Sequence, residues 1–209
     1  MTQGFHAATG GAATRRQAIA TFLGIALTVG AAAAEPVVIP GLRKLMDTPL
    51  RDTSICRGPD GTWYMTGTVE PFWTYNEGIK LWKSSDLVNW EPLGFVWKYG
   101  ASPWHKPYLD SKKPLWAPEI HHLTGTFWLT YSLPGWKAGD PKGLDARNSG
   151  CGLLRSTTGK AEGPYEDIQP AERMGDEIDA SLFQDDDGSV HFLWHGGKKI
   201  GRASCRERV

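Results

Sequence analysis

The chain repeats one plan three times, and a repeat of this length leaves few folds open. From Arg51 to Thr68, from Trp116 to Ser132 and from Asp179 to Trp194, a short lead runs into a turn and then into an aromatic and β-branched strand. The turn glycines Gly61, Gly125 and Gly188 stand 64 and then 63 residues apart. This period is somewhat longer than that of the usual propeller repeats. Carried by short β-rich units, it predicts an all-β fold of four-stranded blades arranged around an axis. Thr62 to Thr68 and the alternating Gly78 to Ser84 read as strands, and Ser85 to Glu91 reads as a turn feeding a short outer strand. Val96 to Pro114 reads as an inter-blade loop. The second unit gives strands at Gly125 to Ser132 and Gly150 to Thr157, a polar loop from Pro134 to Ser149 between them, and an outer turn from Ala161 to Glu166. The third opens at Ile178 and holds two strands at most before Lys199. Propellers close with about four to eight blades, so the expectation is an N-terminal piece of about two and a half blades, whose open sheet edges favour aggregation.

Outside this region the chain changes character. Arg15 and Arg16 precede the apolar run Ala18 to Gly30, and Ala32 to Ala34 are the small residues of a cleavage site, so residues 1–34 read as a signal peptide. The run is too short to span a bilayer comfortably. The paired arginines fit a twin-arginine signal and an ordinary basic n-region equally well; either way the protein is expected to be periplasmic or extracellular, with no membrane contact after cleavage. Residues 35–199 are read as the N-terminal part of the propeller, with a lead-in from Glu35 to Leu50 that covers a sheet edge or closes the fold and has a short helical stretch at Leu42 to Met46. Residues 200–209 fit no element of the repeat. Their back-translation resembles a common sequencing-library adapter, so they are expected to be read-through; a basic surface tail is the alternative.

Twenty-three basic residues balance 23 acidic ones, so no electrostatic case for nucleic acid arises. No protein partner is indicated. Ten Trp is a heavy aromatic load; roughly two-thirds are assigned to packing, since aromatic side chains bury large areas. Cys56, Cys151 and Cys205 are an odd count. Without the tail, Cys56 and Cys151 remain, as buried free thiols or as one disulfide. Asp52 and Asp179 occupy the same place in their repeats, ahead of the innermost strand, where equivalent acids converge near the axis; that is the requirement for carboxylates acting on one bond. Asp185 to Asp187 read as a solvated hairpin turn. His121 and His122 lack a third ligand at suitable spacing, so no metal site is expected.

Several stretches together resemble the five-bladed β-propeller glycoside hydrolases of family 43: Arg51 to Ile55, Gly78 to Glu91, Trp116 to Ile120, Gly159 to Tyr165 and Ile178 to Phe183. The resemblance covers essentially all of Arg51 to Lys199. It implies an inverting hydrolase of arabinose- or xylose-containing glycans, with Asp52 as general base and Asp179 as the acid that tunes the pKa and orientation of the proton donor. The donor itself is a Glu on a later blade. Thr53 and Ala180 stand where the family usually has Pro. Glu162 matches an ordinary blade connection and not the donor. Trp116, Trp73 and Trp104 are candidate platforms for sugar rings, with Trp116 best placed by the motif. Parts of the family hold an axial calcium, but this sequence specifies no ligands for one, and no cofactor is expected. As it stands the chain is expected to be inactive. The competing functions are a carbohydrate-binding propeller without catalysis and a propeller that transfers or phosphorolyses sugars.

Overall fold

The computed structural model describes residues 41, 44–137, 139–140, 150–175, 177–195 and 207–208. The signal segment, much of the lead-in, Cys205 and most of the tail lie outside these residues. Among the described residues, eleven strands form three antiparallel sheets. The first is β1 (Leu50–Arg57), β2 (Trp63–Val69), β3 (Gly78–Ser84) and β4 (Glu91–Lys98), paired in that order. The second is β5 (Trp116–Leu123), β6 (Thr126–Ser132), β7 (Cys151–Ser156) and β8 (Tyr165–Asp167). The third pairs β9 (Ile178–Gln184), β10 (Val190–His195) and the two-residue β11 (Glu207–Arg208). The sheets stack as successive blades of a propeller, with β5 packed between β1 and β9.

Alternation along the strands explains the stacking. In the middle sheet Leu129 and Leu154 turn to the first sheet, joining Tyr64, Ile79, Leu81 and Ile120 in one core. Their neighbours Trp128 and Leu153 turn the other way, onto Ala180, Leu182 and Phe192 of the third sheet. A strand covered on both faces loses the polar alternation of a surface strand, and β6 is buried from Phe127 to Ser132. A smaller cluster of Met65, Val69 and Trp82 on the outer face of the first sheet is covered by Met46, Leu50 and Trp90. The end of the lead-in therefore shields a sheet face.

The structure departs from the sequence reading in three places. Lys44 to Met46 form no helical turn, because a stretch bracketed by Pro40 and Pro49 is too short to nucleate one. Val96 to Lys98 continue β4, since Trp97 and Lys98 still pair with Ile79 and Gly78. The connection that follows holds a 3₁₀ helix, Pro103–Ser111, closed by Lys112 in the left-handed region (φ 46°), whose N–H donates to the Leu109 carbonyl. Two of the tail residues also add a third strand to the last sheet, with Glu207 and Arg208 opposite Phe192 and His191, where two strands at most were expected.

Strand direction sorts the connections onto two ends. Leu50 pairs with Val69 and Gly78 with Lys98, so the 70–77 and 99–115 connections leave from the end where β1 begins. Ser132 opposite Cys151, and β8 finishing at Asp167, bring the 133–150 and 168–177 connections to the same end. Hairpin turns occupy the other end. There Asp185 N–H bonds the Ser189 carbonyl and Gly188 N–H the Asp185 carbonyl, as expected of the acidic run 185–187.

Candidate active site

All three inner strands begin with the same irregularity. Between Arg51 and Ser54 the strand advances three residues while its partner advances two, from Thr68 to Thr66. Trp116 to Glu119 against Ser132 to Thr130, and Ile178 to Ser181 against His195 to Leu193, repeat the bulge. The second residue of each bulge is left-handed: Asp52 at φ 52°, Ala117 at φ 41° and Asp179 at φ 59°. Regular strand residues here alternate between the two blade interfaces, where a carboxylate would be buried. An extra residue in the left-handed region breaks that alternation and re-aims its side chain, and Asp accepts that backbone more readily than most residues. Asp52 and Asp179 are accordingly exposed at the starts of β1 and β9, on either side of β5.

Hydroxyls at the ends of the second strands fix these bulges. Thr68 Oγ1 accepts the Ala117 N–H at 2.8 Å and donates to Asp52 Oδ2 at 2.9 Å, so one hydroxyl joins the first carboxylate to the next blade. Ser132, 64 residues later, accepts the Asp179 N–H at 2.9 Å. Neither hydroxyl was singled out from the sequence, although the repeat that aligns Asp52 with Asp179 also aligns Thr68 with Ser132. Gly67 lies opposite the first bulge. A Cβ there would stand 2.6 Å from the Arg51 carbonyl oxygen, so this close approach needs glycine.

Two of the three Trp candidates meet beside Asp52. Trp73 and Trp116 pack edge to face with centroids 5.9 Å apart. The Arg51 guanidinium lies 4.6 Å from the Trp73 centroid, and Trp116 Nε1 donates to the Phe72 carbonyl at 2.8 Å. Trp73 is 62% exposed. Trp104 stands apart, 6% exposed in the core, with its indole stacked 6.1 Å from Tyr131 and its N–H on Asp167. It packs the fold as part of the core.

Below the bulge on β5, burial raises the Glu119 carboxyl, but contacts from Ser181 and His121 outweigh this and bring it below the usual carboxylate range. His121 Nε2 lies 3.1 Å from Glu119 Oε2. Among the described residues no group of three or more His, Cys, Asp or Glu is placed to hold a metal. Glu162 lies in the β7–β8 turn at the far end from Asp52. Cys56 and Cys151 are free. Burial pushes both thiols up, Cys151 to about 12, which makes them poor nucleophiles.

A buried relay holds the 99–115 connection in place. Gly100 N–H donates to His105 Nδ1 at 3.1 Å, which leaves Nε2 to donate to the Tyr131 hydroxyl at 2.8 Å. The Tyr131 hydroxyl then donates to Ser102 Oγ at 3.0 Å, and Ser102 donates to Asp167, which also accepts from Trp104 Nε1 at 3.1 Å. Burial lowers His105 to about 3 and raises Tyr131, so both stay neutral.

The profile described as Glycosyl hydrolases family 43 matches residues 45–206. The chain is 31% identical over 152 residues to a xylan 1,3-beta-xylosidase of Vibrio sp, covering 71% of this chain and 26% of that protein. It is 29% identical over 97 residues to the extracellular endo-alpha-(1->5)-L-arabinanase 1 of Bacillus subtilis, covering 46% and 27%. Among solved structures, native Bacillus subtilis arabinanase Arb43A superposes with TM-score 0.51 at 27% identity, over 69% of this chain and 47% of that one. A thermostable family-43 glycoside hydrolase gives 0.50 at 24% identity, over 70% and 41%. The chain thus spans about a quarter of the curated relatives' length and less than half of the solved chains.

Proposed function

The chain belongs to glycosyl hydrolase family 43, and from that premise we propose that these blades are the base-bearing part of an exported, inverting glycosidase acting on arabinose- or xylose-containing glycans. The observation that carries this reading is the pair of left-handed bulge aspartates, Asp52 and Asp179, at equivalent positions on the sheets flanking β5. An inverting hydrolase needs one carboxylate to deprotonate water on one face of the sugar, with the protonated donor about 6.5–9.5 Å away across it. Asp52 takes the first role, its Oδ2 held by the Thr68 hydroxyl. Asp179 keeps the donor protonated by like-charge repulsion; the donor is a carboxyl from a blade beyond the third sheet. Trp116 and Trp73 form the apolar wall against which a pentose ring lies, with Arg51 stacked behind Trp73. Relatives named as a xylosidase and as an arabinanase support the two sugar classes. Export rests on Arg15, Arg16 and the apolar run that follows.

The test is hydrolysis of aryl α-L-arabinofuranoside, aryl β-D-xyloside, arabinan and xylan by the full-length protein and its Asp52→Asn variant. At least one substrate is expected to turn over, and the variant should lose about 10²–10⁴-fold in kcat, the range of general base catalysis. An Asp52→Asn protein with wild-type turnover would remove the assignment. Sugar binding with no turnover of any substrate would identify a non-catalytic carbohydrate-binding propeller.

A further inference from the structure

We infer that the end of the propeller bearing Asp52 carries a second glycan-binding site, a cationic groove over the second blade that takes a carboxylate-bearing sugar such as a uronic acid. This rests on the reading of the protein as a glycan-acting one. The groove encloses about 520 Å³, inside the range of about 300–1,000 Å³ found for small-molecule sites. Pro103, Trp104, Lys106, Pro107 and Tyr108 form one wall, and Lys137, Ala171, Glu172 and Arg173 close the other. These residues come from the 99–115, 133–150 and 168–177 connections, all of which leave the sheets at the end where the inner strands begin. The groove therefore opens on the same side as Asp52 and Asp179, yet shares no residue with the Asp52, Trp73 and Trp116 cluster.

Charge argues for the ligand class. The whole chain is neutral, with 23 basic and 23 acidic residues, but the described residues that line the groove include Lys106, Lys137 and Arg173 and one acid, Glu172. Among the described residues nearby, Asp140 accepts the Lys137 backbone N–H at 2.7 Å, and Asp167 lies behind the wall, its carboxylate held by the Trp104 indole N–H at 3.1 Å. The cations gather around one buried ring: Lys137 Nζ lies 5.3 Å from the Tyr108 centroid, and Arg173 Nη1 donates to the Tyr108 hydroxyl at 3.3 Å. Lys106 and Lys137 are exposed, and their ammonium groups are free to move onto a carboxylate. The relay through His105, Tyr131 and Ser102 fixes the wall that carries Lys106. A neutral pentose offers these cations only hydroxyl and ring oxygens, whereas a uronic acid branch on the same glycan supplies a carboxylate, whose charge-assisted hydrogen bonds are roughly twice as strong.

Calorimetric titration of the chain with a xylo-oligosaccharide bearing one glucuronic acid, and with the same compound after carboxyl reduction, tests this. The acidic form should bind at least about fivefold more tightly, and the preference should shrink as salt rises, because exposed charges are screened within about 10 Å at 0.1 M. Lys106→Ala with Lys137→Ala should abolish the preference. Lys83→Ala with Lys160→Ala, which removes equal charge at the opposite end, should leave it intact. Equal affinity for both sugars, or equal loss in both double variants, overturns the site. Turnover of neutral arabinan or xylan by the full-length protein is measured separately, so a groove that fails while turnover persists is distinguished from a protein that binds acidic glycans and hydrolyses nothing.

Discussion

Thr68 shows how one side chain serves two blades, since its single hydroxyl proton has only one destination once the oxygen has accepted the Ala117 N–H. That destination is Asp52 Oδ2. Thr68→Val keeps the shape and deletes both bonds; a hydrogen bond to a charged group contributes about 1.5–3 kcal/mol, which corresponds to at least about tenfold in kcat. In the full-length protein kcat should fall with KM little changed, and Thr68→Ser should restore it. A loss confined to KM, or no rescue by Ser, would assign Thr68 to packing alone. His105 makes a different prediction. Its folded pKa of about 3 lies below the ordinary histidine value near 6.5, so the unfolded chain binds the extra proton between those two values. Stability from this group is complete above about pH 6.5 and is lost as pH falls toward 3, by at most about 1.4 kcal/mol per pH unit. Thermal melts from pH 7.5 to 4 should show this slope, and His105→Asn should flatten it. An unchanged slope in the variant would place the acid sensitivity elsewhere.

At the scale of strands, periodicity made the inner and middle elements of each blade legible, because aromatic and β-branched runs bounded by Gly61, Gly125 and Gly188 leave little else to form. The aspartates were also found through the repeat. Their backbone was not, since nothing in the side-chain pattern marks an inserted residue, and the bulge is visible only in the pairing of Arg51 with Thr68 and Ser54 with Thr66. The 3₁₀ helix at Pro103–Ser111 was likewise read as loop, because its fold comes from the buried relay and its own sequence has no helical period. Trp104 was misjudged for the same reason: an aromatic in a loop suggests a binding surface until its partners are known. Across β6 and β7, Tyr131 lies opposite Gly152, and a Cβ on Gly152 would stand 2.3 Å from the Tyr131 ring. Gly152→Ala should therefore push Tyr131 off its relay and cost about 1–3 kcal/mol, the usual range for overpacking. Chemical denaturation measures it. Tyr131→Phe with Gly152→Ala should be no worse than Gly152→Ala alone, since the relay is already broken; strict additivity would show that the alanine is accommodated without moving the ring.

At the scale of the whole molecule, Asp52 and Asp179 sit on separate sheets, and the proposed inverting reaction takes its proton donor from a further blade. The sequence could show the repeat and both aspartates, but the proposed catalytic distance belongs to the closed ring, and the chain spans 41% and 47% of two of the solved structures it matches. Two results are expected of the ring-closed protein. Proton NMR of the first-formed sugar should show the inverted anomer, because Asp52 activates a water on the face opposite the leaving group; a retained anomer would require Asp52 to be a nucleophile. The two acids should also part company on aryl glycosides of graded leaving-group pKa. Asp52→Asn removes the base every substrate needs, so turnover should collapse throughout the series. Asp179→Asn removes like-charge repulsion from the donor, whose pKa then falls, and the basic limb of the pH–rate profile should move to lower pH. Good leaving groups need little protonation, so they should partly rescue the Asp179 variant and leave the Asp52 variant inactive. Equal rescue of both would reverse the assignment of roles.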